Sequence, residues 1–211
     1  MNYYLVMCGI SGYFSNSINL NKKKINKLKK LMAVRGPDGF GEYIFQLNKR
    51  DKVGFFHSRL KIIDPSNKSN QPMKDNEGLL IFNGMIYNYL EIKKILQNQN
   101  IKFKTNSDTE VLLKFLNFYG PSQLEKLDGM WSFAYYNFKE QSLTLSRDKF
   151  GEKPLYYFWK NKELIFGSNL NYISLIKEKG CEINYSKFKH IIKNSFRSLF
   201  LDDSSLFKDI K

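Results

Sequence analysis

The spacing of apolar residues changes period several times along this chain, and each change marks an element. Between Asn21 and Ala33, the residues Ile25, Leu28, Leu31 and Met32 recur at helical spacing among lysines, which predicts an amphipathic helix with a solvated basic face. The run Arg35-Gly36-Pro37-Asp38-Gly39 breaks it. Residues 41–47 and 53–57 read as paired strands around a polar turn at 48–52. A polar loop spans residues 65–77, and Leu79 to Phe82 is an apolar strand that ends at Asn83-Gly84. Residues 88–98 read as a helix. Ser107 opens another that reaches about Tyr119, with Asp108 and Glu110 in the first turn, where carboxylates favour the helix dipole. Strands follow at 131–137, 142–146, 155–159 and 163–167, then two weaker helical segments at 169–178 and 185–195. Cys8 to Phe14 (CGISGYF) is a short strand with two glycines, and Phe196 to Lys211 shows little pattern.

Strands outnumber helices and the two kinds are interleaved without a regular βαβ alternation. This places the chain in the α+β class, with antiparallel sheets covered by helices. Neither an internal repeat nor a Gly/Ser-rich linker interrupts the 211 residues, a length that suits one domain with a substantial core.

Composition changes this picture in a few places. Apolar residues make up 42%, enough for a folded core. No apolar run approaches a membrane span, and the opening Met1 to Met7 lacks the basic region of a signal peptide, so the expected location is the cytoplasm, without a membrane partner. Two distant cysteines, Cys8 and Cys181, make no disulfide framework. Together with two histidines, His57 and His190, they give no metal-ligand spacing. The net charge of +14 is compatible with polyanion binding, but Lys, Asn, Ile, Phe and Tyr are all abundant, as in a gene written in A/T-rich codons. Charge alone is weak evidence of function, and no nucleic-acid partner is expected.

The candidate chemistry begins at Cys8. A lone cysteine in a strand is ordinarily a buried small hydrophobe. Met7 changes the weighing: if translation starts there and the Met is removed, Cys8 carries a free α-amine whose reference pKa is about 7.7–8.0. Nucleophile and base then sit on one residue. Asn83-Gly84 offers a side-chain amide beside a backbone N–H, the composition of an oxyanion hole, although as a dipeptide it is also an ordinary turn. Arg59 can clamp a carboxylate through two N–H groups. Asp108 can hold an ammonium, or act only as a first-turn charge.

The ordered segments CGISGYF (8–14), RGPDGFG (35–41), HSRLKIID (57–64), NGMIYNYLEIK (83–93), NSDTEVLL (106–113), LDGMWSFAYYN (127–137) and RDKFGEKPLYYF (147–158) resemble the N-terminal glutaminase domain of glutamine-hydrolysing asparagine synthetases, which are class II glutamine amidotransferases. The resemblance implies a four-layer αββα sandwich of antiparallel sheets, of the N-terminal-nucleophile hydrolase type. It implies hydrolysis of L-glutamine to glutamate and ammonia through a Cys8 thioester, with the α-amine moving the proton. Asn83 and Gly84 would hold the oxyanion, and Arg35 would orient the amide. Arg59 would take the α-carboxylate, Ile62 and Ile63 would present backbone to the substrate, and Asp108 would take the α-ammonium. His57 and Lys153-Pro154-Leu155 would be structural. No cofactor is implied for this domain. ATP and Mg would serve only a synthetase domain or subunit that accepts the ammonia.

Three departures qualify the resemblance. Residues 1–7 precede the cysteine, as a leader or an early start, and tie up its amine. Met85 stands where the family pattern NGEIYN has a glutamate that helps hold the ammonium, so Asp108 would act alone. The amidotransferase domain would span 8–195, with 196–211 starting the connection to a synthetase domain whose pyrophosphatase loop is not in this sequence. The first two departures feed an alternative reading, a catalytically silent module of the same fold used for docking or regulation. The ammonia acceptor and the oligomeric state stay open.

Overall fold

The computed structural model of the chain describes residues 7–178, 180–194 and 205–211. Among these residues, nine strands form two antiparallel sheets. The first takes β2 (Gly39–Gln46), β3 (Lys52–Arg59), β1 (Gly9–Ser15), β9 (Glu163–Gly167) and β8 (Tyr156–Lys160), in that order. The second takes β4 (Met73–Lys74), β5 (Gly78–Ile86), β6 (Gly129–Asn137) and β7 (Ser142–Arg147).

Three apolar clusters explain the layering. Alternate residues of each strand face opposite sides. Ile10, Phe55, Leu79, Ile81, Ala134 and Phe166 meet between the two sheets. Tyr13 and Phe56, on the outer face of the first sheet, pack on Leu28 and Met32 of α1 (Lys22–Ala33) and on Ile173 and Ile176 of α4 (Leu170–Lys177). Leu80, Phe82 and Phe133, on the outer face of the second sheet, pack on Ile92 and Leu96 of α2 (Tyr89–Asn98) and on Val111 and Phe115 of α3 (Asp108–Tyr119). Each such side chain contributes roughly 1.5–3 kcal/mol by leaving water. The result is the expected αββα sandwich.

Local signals set the helix starts. Asn21 caps α1 by accepting from Lys24 N–H, and Ser107 caps α3 by accepting from Thr109 N–H. Helix α5 (Tyr185–Asn194) fills the second weak helical segment, and the Ser195 end expected for it lies outside the described residues.

Two expectations needed correction. Asn83-Gly84 does not end a strand in a turn: β5 runs on to Ile86, pairing Asn83 with Ser132 and Gly84 with Trp131. The loop at 65–77 is not wholly irregular, since it holds a 3-10 turn (Asn67–Ser69) and the short β4. Of the expected leader at 1–7, residues 1–6 lie outside the described residues, as does the stretch 196–204. Residues 205–211 run beside β8, where Lys211 and Tyr157 exchange two backbone hydrogen bonds and Ile210 is buried. Among the described residues, no helix is long and apolar enough to cross a membrane. No cluster of three or more His, Cys, Asp or Glu side chains there could hold a metal.

Candidate functional site

A cavity of about 90 Å³ opens where the N-terminal end of β1 meets β5 and the N-terminus of α3. Cys8, Arg59, Ile62, Ile63, Asn83, Gly84, Met85 and Asp108 all line it, so residues far apart in sequence converge on one point. Arg35 sits behind Cys8 rather than in the wall.

Cys8 immediately precedes β1. Its Sγ accepts from Leu60 N–H at 3.3 Å and its S–H points to Leu60 O at 3.6 Å. Burial raises the thiol pKa, opposed by the Leu60 N–H and by the charge of Arg59; Asp108 adds to the rise and Arg35 opposes it. Arg35 Nε donates to Cys8 O at 3.1 Å, fixing the backbone of the nucleophile. Its Nη2 is buried without a partner among the described residues, as is Ser58 Oγ across from Gly9. Gly9 has a steric reason: a Cβ there would lie 2.7 Å from Ser58 Oγ.

The edge of β5 explains why Asn83-Gly84 faces the cavity. Phe82 N–H turns away from β6 and is taken by Gln71 Oε1 at 2.6 Å. Ile86 N–H points the same way, to Asp108 Oδ2 at 3.2 Å. Strand alternation turns Gly84 N–H to that same edge, between two capped neighbours and into the cavity. Asn83 is buried, and its side-chain amide lies 3.5 Å from Ser132 Oγ. The glycine is required by β6 rather than by a ligand: a Cβ at 84 would fall 2.2 Å from Met130 O.

Arg59 is 5% exposed, and three of its five N–H groups are already committed. Nη1 donates to Ser66 O and Asn70 Oδ1, both at 2.8 Å, and Nη2 to Asp64 O at 2.5 Å. Asp64 in turn accepts from Ser66 N–H at 3.1 Å and Asn106 N–H at 2.9 Å, tying the loop after β3 to the approach of α3. The Ser66 hydroxyl first, then the Asn106 N–H, hold its carboxyl well below the usual range, with smaller help from the Ser69 hydroxyl and the Ser66 N–H. Two guanidinium donors remain for a ligand. Asp108 is buried, and loss of hydration lifts its pKa to about 6, against the N–H bonds from Ile86 and Thr109. A buried carboxylate without a cation in salt-bridge range among the described residues is suited to receive one.

Several cavity residues went unseen in the sequence. Gln71 and Thr109, joined at 3.3 Å, brace the β5 edge. Met130 lines the wall beside Met85. Lys153, read as a fold signature, sends its ammonium into the cavity, where it meets Met7 Sδ at 3.1 Å. Pattern reading had no signal for it, since only the loop between β7 and β8 brings it there. His57 is fully enclosed; its Nε2–H donates to Phe82 O at 3.2 Å, and burial lowers its pKa to about 3.

The glutamine amidotransferase domain family matches residues 7–211. This chain belongs to that family. A protein of Methanocaldococcus jannaschii, provisionally named a glutamine-hydrolysing asparagine synthetase, is 37% identical over 197 residues, covering 86% of this chain and 38% of its own length. Asparagine synthetase [glutamine-hydrolyzing] 1 of Bacillus subtilis is 37% identical over 168 residues, covering 77% of this chain and 26% of its own. The chain thus spans roughly a quarter to two fifths of the curated relatives it matches. Among solved structures, the glutamine phosphoribosylpyrophosphate amidotransferase of B. subtilis superposes with a TM-score of 0.61 at 19% identity, covering 81% of this chain and 44% of that one. At that identity the likeness speaks for the fold, and it agrees with the N-terminal-nucleophile architecture expected from the sequence.

Proposed function

We propose that this amidotransferase domain hydrolyses L-glutamine to glutamate and ammonia and delivers the ammonia to an ATP-dependent synthetase domain or subunit of the asparagine-synthetase kind. The convergence of Cys8, Gly84 N–H, Arg59 and Asp108 on one cavity carries this reading. In the working form Cys8 has a free α-amine. That amine takes the thiol proton, and the thiolate attacks the amide carbon. Gly84 N–H and the Asn83 side chain receive the developing oxyanion, an arrangement of fixed donors that is commonly the largest single catalytic contribution. The proton then passes from the ammonium to the leaving nitrogen, ammonia departs and a thioester remains. Water, deprotonated by the same amine, attacks the thioester and releases glutamate, restoring the thiol. Arg59 takes the α-carboxylate through its two uncommitted N–H groups, Asp108 takes the α-ammonium, and Arg35 keeps the Cys8 carbonyl in place. Ile62 and Ile63 stand at the rim, where their backbone can meet the substrate. No cofactor is needed for these steps. ATP and Mg belong to the synthetase partner, and the setting is the cytoplasm.

The test is glutamate release by protein beginning at Cys8, against the same protein carrying Cys8→Ala. Turnover that requires Cys8 supports the reading. The competing reading, a silent docking module, rests on Met7 in the cavity wall and on the uncharged Met85. It predicts no turnover from folded protein whose N-terminus is Cys8, including when the synthetase partner is added.

A further inference from the structure

Lys153 is the charged group of this cavity for which the glutamine chemistry gives no role. It is 8% exposed, and among the described residues its ammonium meets only a thioether sulfur, a weak acceptor. No carboxylate there lies within salt-bridge distance of it. Burying an unpaired cation is costly, so its placement needs a cause. The loop that carries it is built to hold it. Asp148 gathers the N–H groups of Phe150, Glu152 and Lys153 at 2.9–3.1 Å. Arg147 Nε donates to Lys153 O at 2.9 Å, and Nη2 donates to Gly151 O. Gly151 turns the chain at φ +67°, a conformation that suits glycine.

Met7, which meets Lys153, is the residue bonded to the nitrogen of Cys8. We propose that Lys153 is a positioning residue that keeps the Cys8 α-amine neutral, and therefore basic, near neutral pH. The proposal rests on the reading that Cys8 acts as an N-terminal residue. The Lys153 ammonium touches the side chain of the residue bonded to the Cys8 nitrogen, so with Met7 gone it is a like charge in the neighbourhood of the amine and disfavours a second positive charge there. At roughly 6 Å such a like charge lowers a pKa by about half a unit in watery surroundings and about two units where water is largely excluded. The charged and titratable groups around Cys8 are the cations Arg35, Arg59 and Lys153, the carboxylate of Asp108, the Tyr172 hydroxyl behind Gly9, and the Cys8 thiol itself. Arg59 is bound to its own loop and Arg35 to the Cys8 carbonyl, which leaves Lys153 as the cation whose ammonium has no oxygen partner among the described residues. An amine near the solution pH is also the most effective proton carrier.

The test uses protein beginning at Cys8, confirmed by mass, in wild-type, Lys153→Met and Lys153→Arg forms. The α-amine is titrated by the pH dependence of its acylation in a Cys8→Ser background without glutamine, and kcat/KM for glutamine is followed against pH in the Cys8 proteins. Lys153→Met should raise the amine pKa by about half to two units. The acidic limb of kcat/KM should move by the same amount while the alkaline plateau stays within a few-fold, and Lys153→Arg should behave as wild type. An unchanged amine pKa in Lys153→Met, or a collapsed plateau with an unmoved limb, overturns the proposal. Lys153→Gln replaces Lys153→Met if the latter does not fold. Turnover that survives Cys8→Ala would instead sink the N-terminal-nucleophile reading, and the amine titration reports on Lys153 independently of that result.

Discussion

The two sides of the cavity are built differently. On the recognition side, Arg59 donates to Asp64 O, Ser66 O and Asn70 Oδ1, Asp64 reaches on to Asn106 N–H just before α3, and Asp108 takes Ile86 N–H. On the reaction side, Cys8 makes two long contacts with Leu60, Arg35 Nη2 and Ser58 Oγ have no partner among the described residues, and Lys153 faces sulfur. The first side is fixed in place before any ligand arrives, with two Arg59 donors and the Asp108 carboxylate left for it. In the proposed mechanism the second works through the α-amine of Cys8, which is joined here in a peptide bond to Met7. Preorganised recognition lowers the entropy lost on binding, while unfilled polar groups mark where the chemistry is to occur.

The largest effect expected breaks the reaction side alone. Cys8→Ala should reduce glutamine turnover by at least about a thousandfold, as loss of a nucleophile does elsewhere. The melting temperature should hardly move, because the thiol makes only weak contacts. A large drop in melting temperature would mean that Cys8 is structural.

Next comes the recognition side. Asp108→Asn should raise KM for glutamine about tenfold to a hundredfold, the loss of one charge-assisted hydrogen bond of about 1.5–3 kcal/mol, and should leave kcat less affected. The same change should stabilise the fold. The native carboxyl titrates at about 6, whereas an unfolded Asp titrates near 3.9. Its favourable contribution is therefore present below about pH 4 and is lost as pH rises through 6, above which the buried charge carries its full cost. Thermal unfolding of Asp108→Asn should show a gain on the order of 1–3 kcal/mol at pH 7.5 that disappears by about pH 4. A gain independent of pH would show that the carboxylate is not the cause. In wild type, glutamine affinity should weaken as pH falls through 6.

Met85→Glu sharpens the comparison by restoring a carboxylate to the recognition side. KM should fall by roughly tenfold or somewhat more, with kcat little changed, as steady-state kinetics at pH 7.5 would reveal. An unchanged KM would mean that Asp108 alone satisfies the ammonium.

Much of the fold was legible because it rests on local patterns. The lysine-studded period of α1, the Ser107 cap of α3 and the alternation of β6 each follow from neighbouring residues. The order of the segments led to the candidate site residues through a family resemblance, and the cavity gathers all of them but Arg35. What stayed hidden depends on long-range pairing. Asn83-Gly84 reads as a turn in isolation and becomes mid-strand only because Ser132 and Trp131 lie opposite. Lys153 and Gln71 reach the cavity through loops whose course no local periodicity encodes. The stretch 205–211 gains its place from the edge of β8 and from residues 182–184.

His57 gives the smallest expected change in turnover and tests whether the reaction side borrows a second base. Its position between the sheets, one residue before Ser58 and hydrogen-bonded to the carbonyl preceding Asn83, could suit a Cys-His mechanism. Two observations argue against it. Nε2–H is engaged with Phe82 O, and burial, with a smaller contribution from the positive charge of Arg59, holds the pKa near 3, so the ring stays neutral across the working range. A group so weakly basic is a poor proton acceptor near neutral pH. His57 instead ties the first sheet to the oxyanion strand. His57→Leu should therefore lower stability by about 1–3 kcal/mol, the cost of leaving a buried carbonyl unpaired. Turnover per folded molecule should fall by less than about tenfold, since misplacement of Asn83 costs only part of what an oxyanion donor supplies, and both limbs of the pH profile should stay in place. Loss of all activity in a protein that remains folded would transfer the role of base from the Cys8 amine to His57.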